Sequence, residues 1–213
     1  MIIKVTKTED NEPKKIDWSK VSDHELVDVV SGDKVENTAK VKIAWTDKFL
    51  YIFFDVKDKH IWGTYRKDDD PIYEQEAVEV FIGFGSEPPK EYFELQFSPN
   101  LVKYDAWVKN PTGSRHDKDF DVDVSWNFKK LEFEQEIDAI GDEVKSGVWQ
   151  TYIKIPAEEI KGSDFKSGDI LRGNLFRIDG YPKQNSFQAL NPNLEKTPNF
   201  HTPDKFATFE LMG

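Results

Sequence analysis

The sequence predicts an all-β fold: a two-sheet antiparallel β-sandwich of the jelly-roll type with little helix, in one domain spanning residues 1–213. Apolar residues recur with a period of two rather than 3.6, in short segments separated by charged, Gly- or Pro-containing turns. A chain of 213 residues is long enough to bury a substantial core, and 16 Phe, 7 Tyr and 6 Trp supply apolar bulk that disordered chains lack. No segment repeats, and no linker composition interrupts the chain.

The elements follow in order. Residues 41–44 and 49–56 flank the turn Thr46-Asp47-Lys48 and read as a hairpin. Its second strand, FLYIFFDV, is apolar on both faces and is expected to be central. Ala77–Phe84 and residues 92–97 pair across the turn 85–89. In YFELQF, residues Phe93, Leu95 and Phe97 share one face, and Tyr92, Glu94 and Gln96 share the other. The same parity sends Val78, Val80 and Ile82 to the core and leaves Glu79 and Phe81 opposite. Residues 101–108 continue the meander, 109–125 read as a long polar loop, and 128–137 and 147–155 are further strands. Pro156 ends the last of these by removing a ladder donor and starts a helical turn over Ala157–Ile160. Residues 171–179 form another strand before a loop rich in Pro and Asn, and 206–211 close the sequence.

Composition excludes several function classes. Acidic residues outnumber basic ones 40 to 29, giving a net charge of -11, so nucleic acid and anionic membrane are not expected partners. With no cysteine there is no disulfide, thiolate nucleophile or Cys-held metal. No apolar run is long enough for a bilayer, and the N-terminus MIIKVTKTEDNEPKK is not a signal peptide. The expected location is therefore extracellular if a leader was removed and cytoplasmic otherwise.

Motifs for catalysis are missing. The four histidines lack H-x-x-x-H spacing, no G-x-S-x-G elbow occurs, and Gly83-Phe84-Gly85 reads as a strand end and turn. Lys67-Asp68-Asp69-Asp70-Pro71 reads as a solvated turn rather than a cation loop, since it lacks the glycine and closing glutamate of an EF-hand. Glu79 and Glu94 on neighbouring strands form a pair of the kind that glycoside cleavage uses, but hydrogen bonding to a ligand is the simpler expectation. Sugars present apolar C–H faces to flat rings and hydroxyls to mixed donors and acceptors. Tyr73, Glu79, Gln96, Trp107, Asn174 and Arg177 supply that set. Trp18, Trp45, Trp126 and Trp149 read as core or rim.

Five segments then carry a resemblance: DKFLYIFFDVKD, DDDPIYEQEAVEVFI, EYFELQFSPN, VWQTYIKIP, and RGNLFRID with the later NFHTPDKFA. Their order and spacing, over about residues 14–212, resemble the family 9 carbohydrate-binding modules. The resemblance implies a β-sandwich that binds oligo- or polysaccharide without cleaving it, in association with a glycoside hydrolase and in some members with structural calcium. It implies that Tyr73 is the aromatic before the V-E-V-F-I strand and that Glu79 is that strand's ligand-binding glutamate, with Gln96, Asn174 and Arg177 as further polar contacts. Two positions depart from the family pattern. Tyr152 stands where relatives have Glu, and Leu190 where they have a Trp that would stack on sugar, which leaves Phe187 as the candidate replacement wall. Two other readings compete. A related sandwich family holds b-type haem through His and Met or paired His, for which His60, His201 and Met212 are the candidate ligands; alternatively the fold is retained as an interaction domain without a ligand.

Overall fold

The computed structural model describes residues 1–140, 145–180 and 186–213. Its strands are β1 (Ile2–Lys7), β2 (His24–Glu25), β3 (Val27–Asp28), β4 (Ala39–Trp45), β5 (Phe49–Ile61), β6 (Ala77–Phe84), β7 (Glu91–Phe97), β8 (Lys103–Lys109), β9 (Asp121–Asp123), β10 (Glu132–Ile140), β11 (Lys145–Pro156), β12 (Ile170–Asp179), β13 (Ser186–Ala189) and β14 (Ala207–Met212). One α-helix of five residues, α1 (Ala157–Lys161), follows Pro156 as the proline predicted, and ends on Gly162 in the left-handed region at φ 78°.

The fold is all-β, but not a purely antiparallel pair of sheets. The strands join in one hydrogen-bonded path, β10-β11-β5-β4-β1-β14-β12-β6-β7-β8-β9, which curls until its two arms face each other. β1 runs parallel to both β4 and β14 and so makes the sheet mixed. The sequence pattern predicts no strand at the N-terminus, but residues 2–6 alternate exposed and buried, with Ile3 and Val5 in the core. Half-buried alternation is the signature of a strand with one dry face, and this strand is the hinge that connects the arms.

The main core lies between the arms. Trp45, Leu50, Ile52, Phe54, Trp149 and Ile153 come from one arm, and Val78, Val80, Ile82, Leu95, Phe97 and Leu175 from the other. β5 is central, as its doubly apolar sequence predicts: its outward Tyr51 and Phe53 are covered by Ile16, Trp18 and Tyr152. The predicted polar loop 109–125 contains β9, which pairs with β8. The Pro- and Asn-rich loop predicted between residues 179 and 206 contains β13, which pairs with β12 and β3, while its residues 181–185 lie outside the described residues. No helix among the described residues is long and apolar enough to cross a membrane.

Candidate functional site

The second arm has a second face. Register pairs Phe176 with Glu79, Glu79 with Gln96, and Gln96 with Tyr104, one row across β12, β6, β7 and β8. The next row is Asn174, Phe81, Glu94 and Ala106. Directly paired residues project to the same side, so both rows face away from the main core. This follows from the parity of V-E-V-F-I and Y-F-E-L-Q-F: the odd-numbered members of the second strand fill the core, and the even-numbered ones are left for the other side. Above these rows lies a cavity of about 650 Å3. Its floor is Glu79, Phe81, Glu94 and Gln96. Its walls are Tyr73 before β6, Tyr104, Ile178, Val122 and Val124, Phe187 on β13, and the segment Pro198–His201, with Arg115 among the lining residues.

The floor is polar and dry. Glu79 is 1% exposed, and burial together with the nearby Glu94 charge holds its carboxyl well above the usual range. Burial also raises Glu94, to about 7, while Gln96 opposes the shift by donating Nε2 to Glu94 Oε1 at 2.6 Å. Among the described residues, Glu79 Oε1 and Gln96 Oε1 are buried without a hydrogen-bond partner. A native fold rarely leaves such atoms unmatched, because each forgone bond costs on the order of 1–3 kcal/mol. His201 closes one side of the site. Asn110 Nδ2 lies 3.4 Å from Tyr92 Oη, which leaves the Tyr92 hydroxyl free to donate to His201 Nδ1 at 2.9 Å. In that tautomer the ring N–H sits on Nε2, 3.8 Å from Glu94 Oε2. Burial, then the Arg115 charge, lowers the His201 pKa to about 4, so the ring is neutral near pH 7.

The walls are aromatic. Tyr73, 42% exposed, stands edge-on to Tyr104 with centroids 5.9 Å apart. Phe200 is stacked on Phe176 at 4.1 Å, and Phe187 meets Phe200 at its edge. Flat rings over a polar floor offer what a pyranose presents: C–H faces and hydroxyls.

Of the residues that the sequence nominated, the cavity brings together Tyr73, Glu79, Gln96 and Phe187. Trp107 lies on the other face, paired with Phe93 toward the main core. Asn174 faces the cavity side, but its amide is committed to Asn191, donating to the carbonyl at 2.8 Å and accepting from the N–H at 3.0 Å. It thereby anchors the segment that leads to Phe200 and His201. Arg177 pairs with Val78 and projects to the core side, where it is fully buried and bonded to Asp58. Leu190 is 1% exposed within the main core, so the residue expected to remove a wall is a packing residue here. Tyr152 stacks on Phe53 at 4.8 Å, outside the cavity. Glu94 was legible only as half of a carboxylate pair. Phe81 and Tyr104 follow from strand parity, whereas Phe200, His201 and Arg115 arrive from distant loops that no short-range pattern marks.

The calcium implied by resemblance can be tested against the carboxylates that converge. Asp58, Glu76 and Asp179 place oxygens within 4.8 Å of one another. The Arg177 guanidinium already stands among them, bonded to Asp58 and 3.7 and 3.8 Å from Glu76 and Asp179. A divalent ion would have to displace that cation, so the cluster as built does not fit one. The Lys67–Pro71 turn spends its carboxylates on backbone: Asp70 Oδ2 accepts from the N–H of Arg66 and of Lys67 at 3.1 and 3.0 Å. The haem candidates do not converge. His201 closes the cavity; Met212 lies beside Trp45, and His60 at the opposite end of β5.

A family model for "Carbohydrate-binding family 9" matches residues 10–211. An "Extracellular protein" of Arthroderma benhamiae is 29% identical over 159 residues, covering 68% of this chain and 66% of that protein. "Exoglucanase XynX" of Acetivibrio thermocellus is 35% identical over 68 residues, 32% of this chain and 6% of that enzyme. A crystal structure from Bacteroides uniformis superposes with a TM-score of 0.76 at 16% identity, covering 98% of both chains. A family 9 module of Caldicellulosiruptor kristjanssonii, solved with glucose, has a TM-score of 0.64 at 14% identity, over 100% of this chain and 96% of that one. Its cellotriose complex gives the same score over 99% and 93%. The match over nearly all of the sequence, on a sheet that turns one dry face inward and one ring-walled face outward, identifies this chain as a member of carbohydrate-binding family 9.

Proposed function

We propose that this chain binds carbohydrate without cleaving it, and that a sugar residue occupies the cavity over β12, β6, β7 and β8. The observation that carries this reading is the floor: buried oxygens of Glu79 and Gln96 without partners, set under the rings of Tyr73, Phe187 and Phe200. Hydroxyl donors from a sugar complete those oxygens, and the rings take its C–H faces. The volume lies within the range of small-ligand pockets. Each ring contributes about 1 kcal/mol beyond burial and each neutral hydrogen bond a net ~1 kcal/mol. Less the cost of association, this gives affinities of roughly micromolar to millimolar.

Cleavage is not expected. Glycoside hydrolysis needs one carboxyl protonating the leaving oxygen and another acting from a different side of the sugar. Glu79 and Glu94 rise together from adjacent strands of one floor, so a sugar above them meets both on the same side. Relatives that include an exoglucanase and an extracellular protein support a secreted role beside a glycoside hydrolase.

Calorimetric titration with glucose, cello-oligosaccharides and xylo-oligosaccharides tests the reading. Binding that weakens about five- to tenfold in Tyr73→Ala, with the thermal midpoint nearly unchanged, supports it. Silence across these ligands and a wider panel of sugars, amino sugars included, overturns it.

A further inference from the structure

The floor of the cavity is short of positive charge. Elsewhere in this protein buried acids have cations: Arg177 serves Asp58, Glu76 and Asp179, and Lys103 Nζ lies 2.5 Å from Asp105. Among the described residues, no lysine or arginine pairs with the equally buried Glu79 and Glu94. Facing them are Gln96 from β7, Tyr104 from β8, Tyr73 from the segment before β6, and His201 with Tyr92 beside it; none of these side chains brings a positive charge near pH 7, His201 being neutral there. Among the described residues, the lysine or arginine that lines the cavity is Arg115, which is exposed to solvent.

The hydrogen-bond inventory leans the same way. Among the described residues the unmatched floor atoms are Glu79 Oε1 and Gln96 Oε1, and one of the two Gln96 amide N–H bonds is already given to Glu94. A floor whose unmatched atoms are both acceptors calls for a ligand rich in N–H or O–H. A primary ammonium brings three donors, no acceptor and the missing charge, and the surrounding aromatic faces attract a cation within about 6 Å of a ring.

Building on the carbohydrate reading above, we infer that the preferred ligand is an amino sugar: a hexosamine residue whose free, protonated amine lies between Glu79, Glu94 and Gln96. Neutral hexoses enter the same cavity but leave the carboxyl pair without a counter-charge, so the pair keeps a proton. An ammonium replaces that proton. Glu79 releases it to solvent as R–NH3+ binds, so one positive charge enters and one proton leaves. Acetylation of the amine removes the charge and two of the three donors, and with them the advantage.

Titration of the intact chain near pH 7 with the β-1,4-linked disaccharide of glucosamine, its di-N-acetylated form and cellobiose tests this. The free amine is expected to bind at least tenfold tighter than either neutral disaccharide. Its observed enthalpy should change between buffers of different ionisation enthalpy, reporting a released proton, whereas that of cellobiose should not. In Glu79→Gln, checked for folding by thermal melt, the affinity ratio of amine to cellobiose should collapse toward one. Cellobiose binding as tightly as the amine, or a ratio that survives Glu79→Gln, overturns the inference while the carbohydrate reading stands. If none of the three disaccharides binds, the inference falls; if the wider sugar panel is silent too, the carbohydrate reading falls with it.

Discussion

Two carboxylates three residues apart show how position sets chemistry. Glu76 is buried beside Arg177 and accepts from the Gly180 N–H at 2.7 Å; Glu79, three residues on, faces a cavity whose lining cation among the described residues is the solvent-exposed Arg115. Arg177 is therefore a structural counter-ion rather than a ligand contact. Removing one partner from a buried ionic network costs about 3–5 kcal/mol, because the charges left behind are stranded. Arg177→Ala is expected to lose stability of that order in urea unfolding and to acquire stabilisation by added calcium, which would then meet three oxygens without a resident cation. Wild-type protein, by the same argument, should melt at the same temperature with or without a chelator; a fall of several degrees on chelation would place a required metal somewhere in the molecule.

At the scale of elements, the site depends on how closely β12 lies between β6 and β14. A Cβ at Gly173 would sit 2.7 Å from both Ile82 Cδ1 and the Phe81 carbonyl, and 2.9 Å from Phe209 Cε2. Real Cβ atoms do not approach that closely, so the strand has to shift. Gly173→Ala is expected to destabilise by roughly 1–3 kcal/mol through overpacking, read as a lower urea midpoint, and to weaken sugar binding as well, since Phe81 is on the cavity floor. Unchanged stability would mean that this part of the sheet is looser than its packing indicates. The parity that places Phe81 was readable in V-E-V-F-I. The tightness at Gly173 was not, because it depends on which strands become neighbours.

For the whole molecule, the buried acids make stability fall as pH rises. Glu94, Glu76 and Glu79 have folded-state pKa values raised above the unfolded 4.5, to about 7, to about 8 and well above, each chiefly by burial. A raised pKa means that the native state holds protons the unfolded chain has lost, so the contribution is complete below pH 4.5 and is lost as pH climbs through the folded value. His201 acts oppositely: its value is lowered from 6.5 to about 4, so its contribution is present above pH 6.5 and is lost on acidification. Above pH 6.5 nothing from His201 opposes the acids, and the decline should be clearest between about pH 6.5 and 8. Each such group weakens folding by up to about 1.4 kcal/mol per pH unit there. The thermal midpoint should drop across that interval, and Glu94→Gln should flatten the drop. A midpoint that rises with pH instead would show these carboxyls already ionised at pH 6.5.

What the sequence determined by itself was local and periodic. Alternation gave the all-β class, parity divided Val78, Val80 and Ile82 from Glu79 and Phe81, and Pro156 marked the strand end and helical turn. It also gave Tyr73, Glu79, Gln96 and Phe187 as candidates that the cavity gathers. Tertiary structure decided what depends on chain return. β1 inserts parallel between β4 and β14, turning an expected antiparallel sandwich into one curled mixed sheet. Trp107 and Arg177 go to the core side, and His201 comes back from over a hundred residues away to stand beside Tyr92. The physical reason is that a strand's period fixes which residues share a face, while the partners of that face are chosen by long-range burial, which no window of neighbouring residues contains.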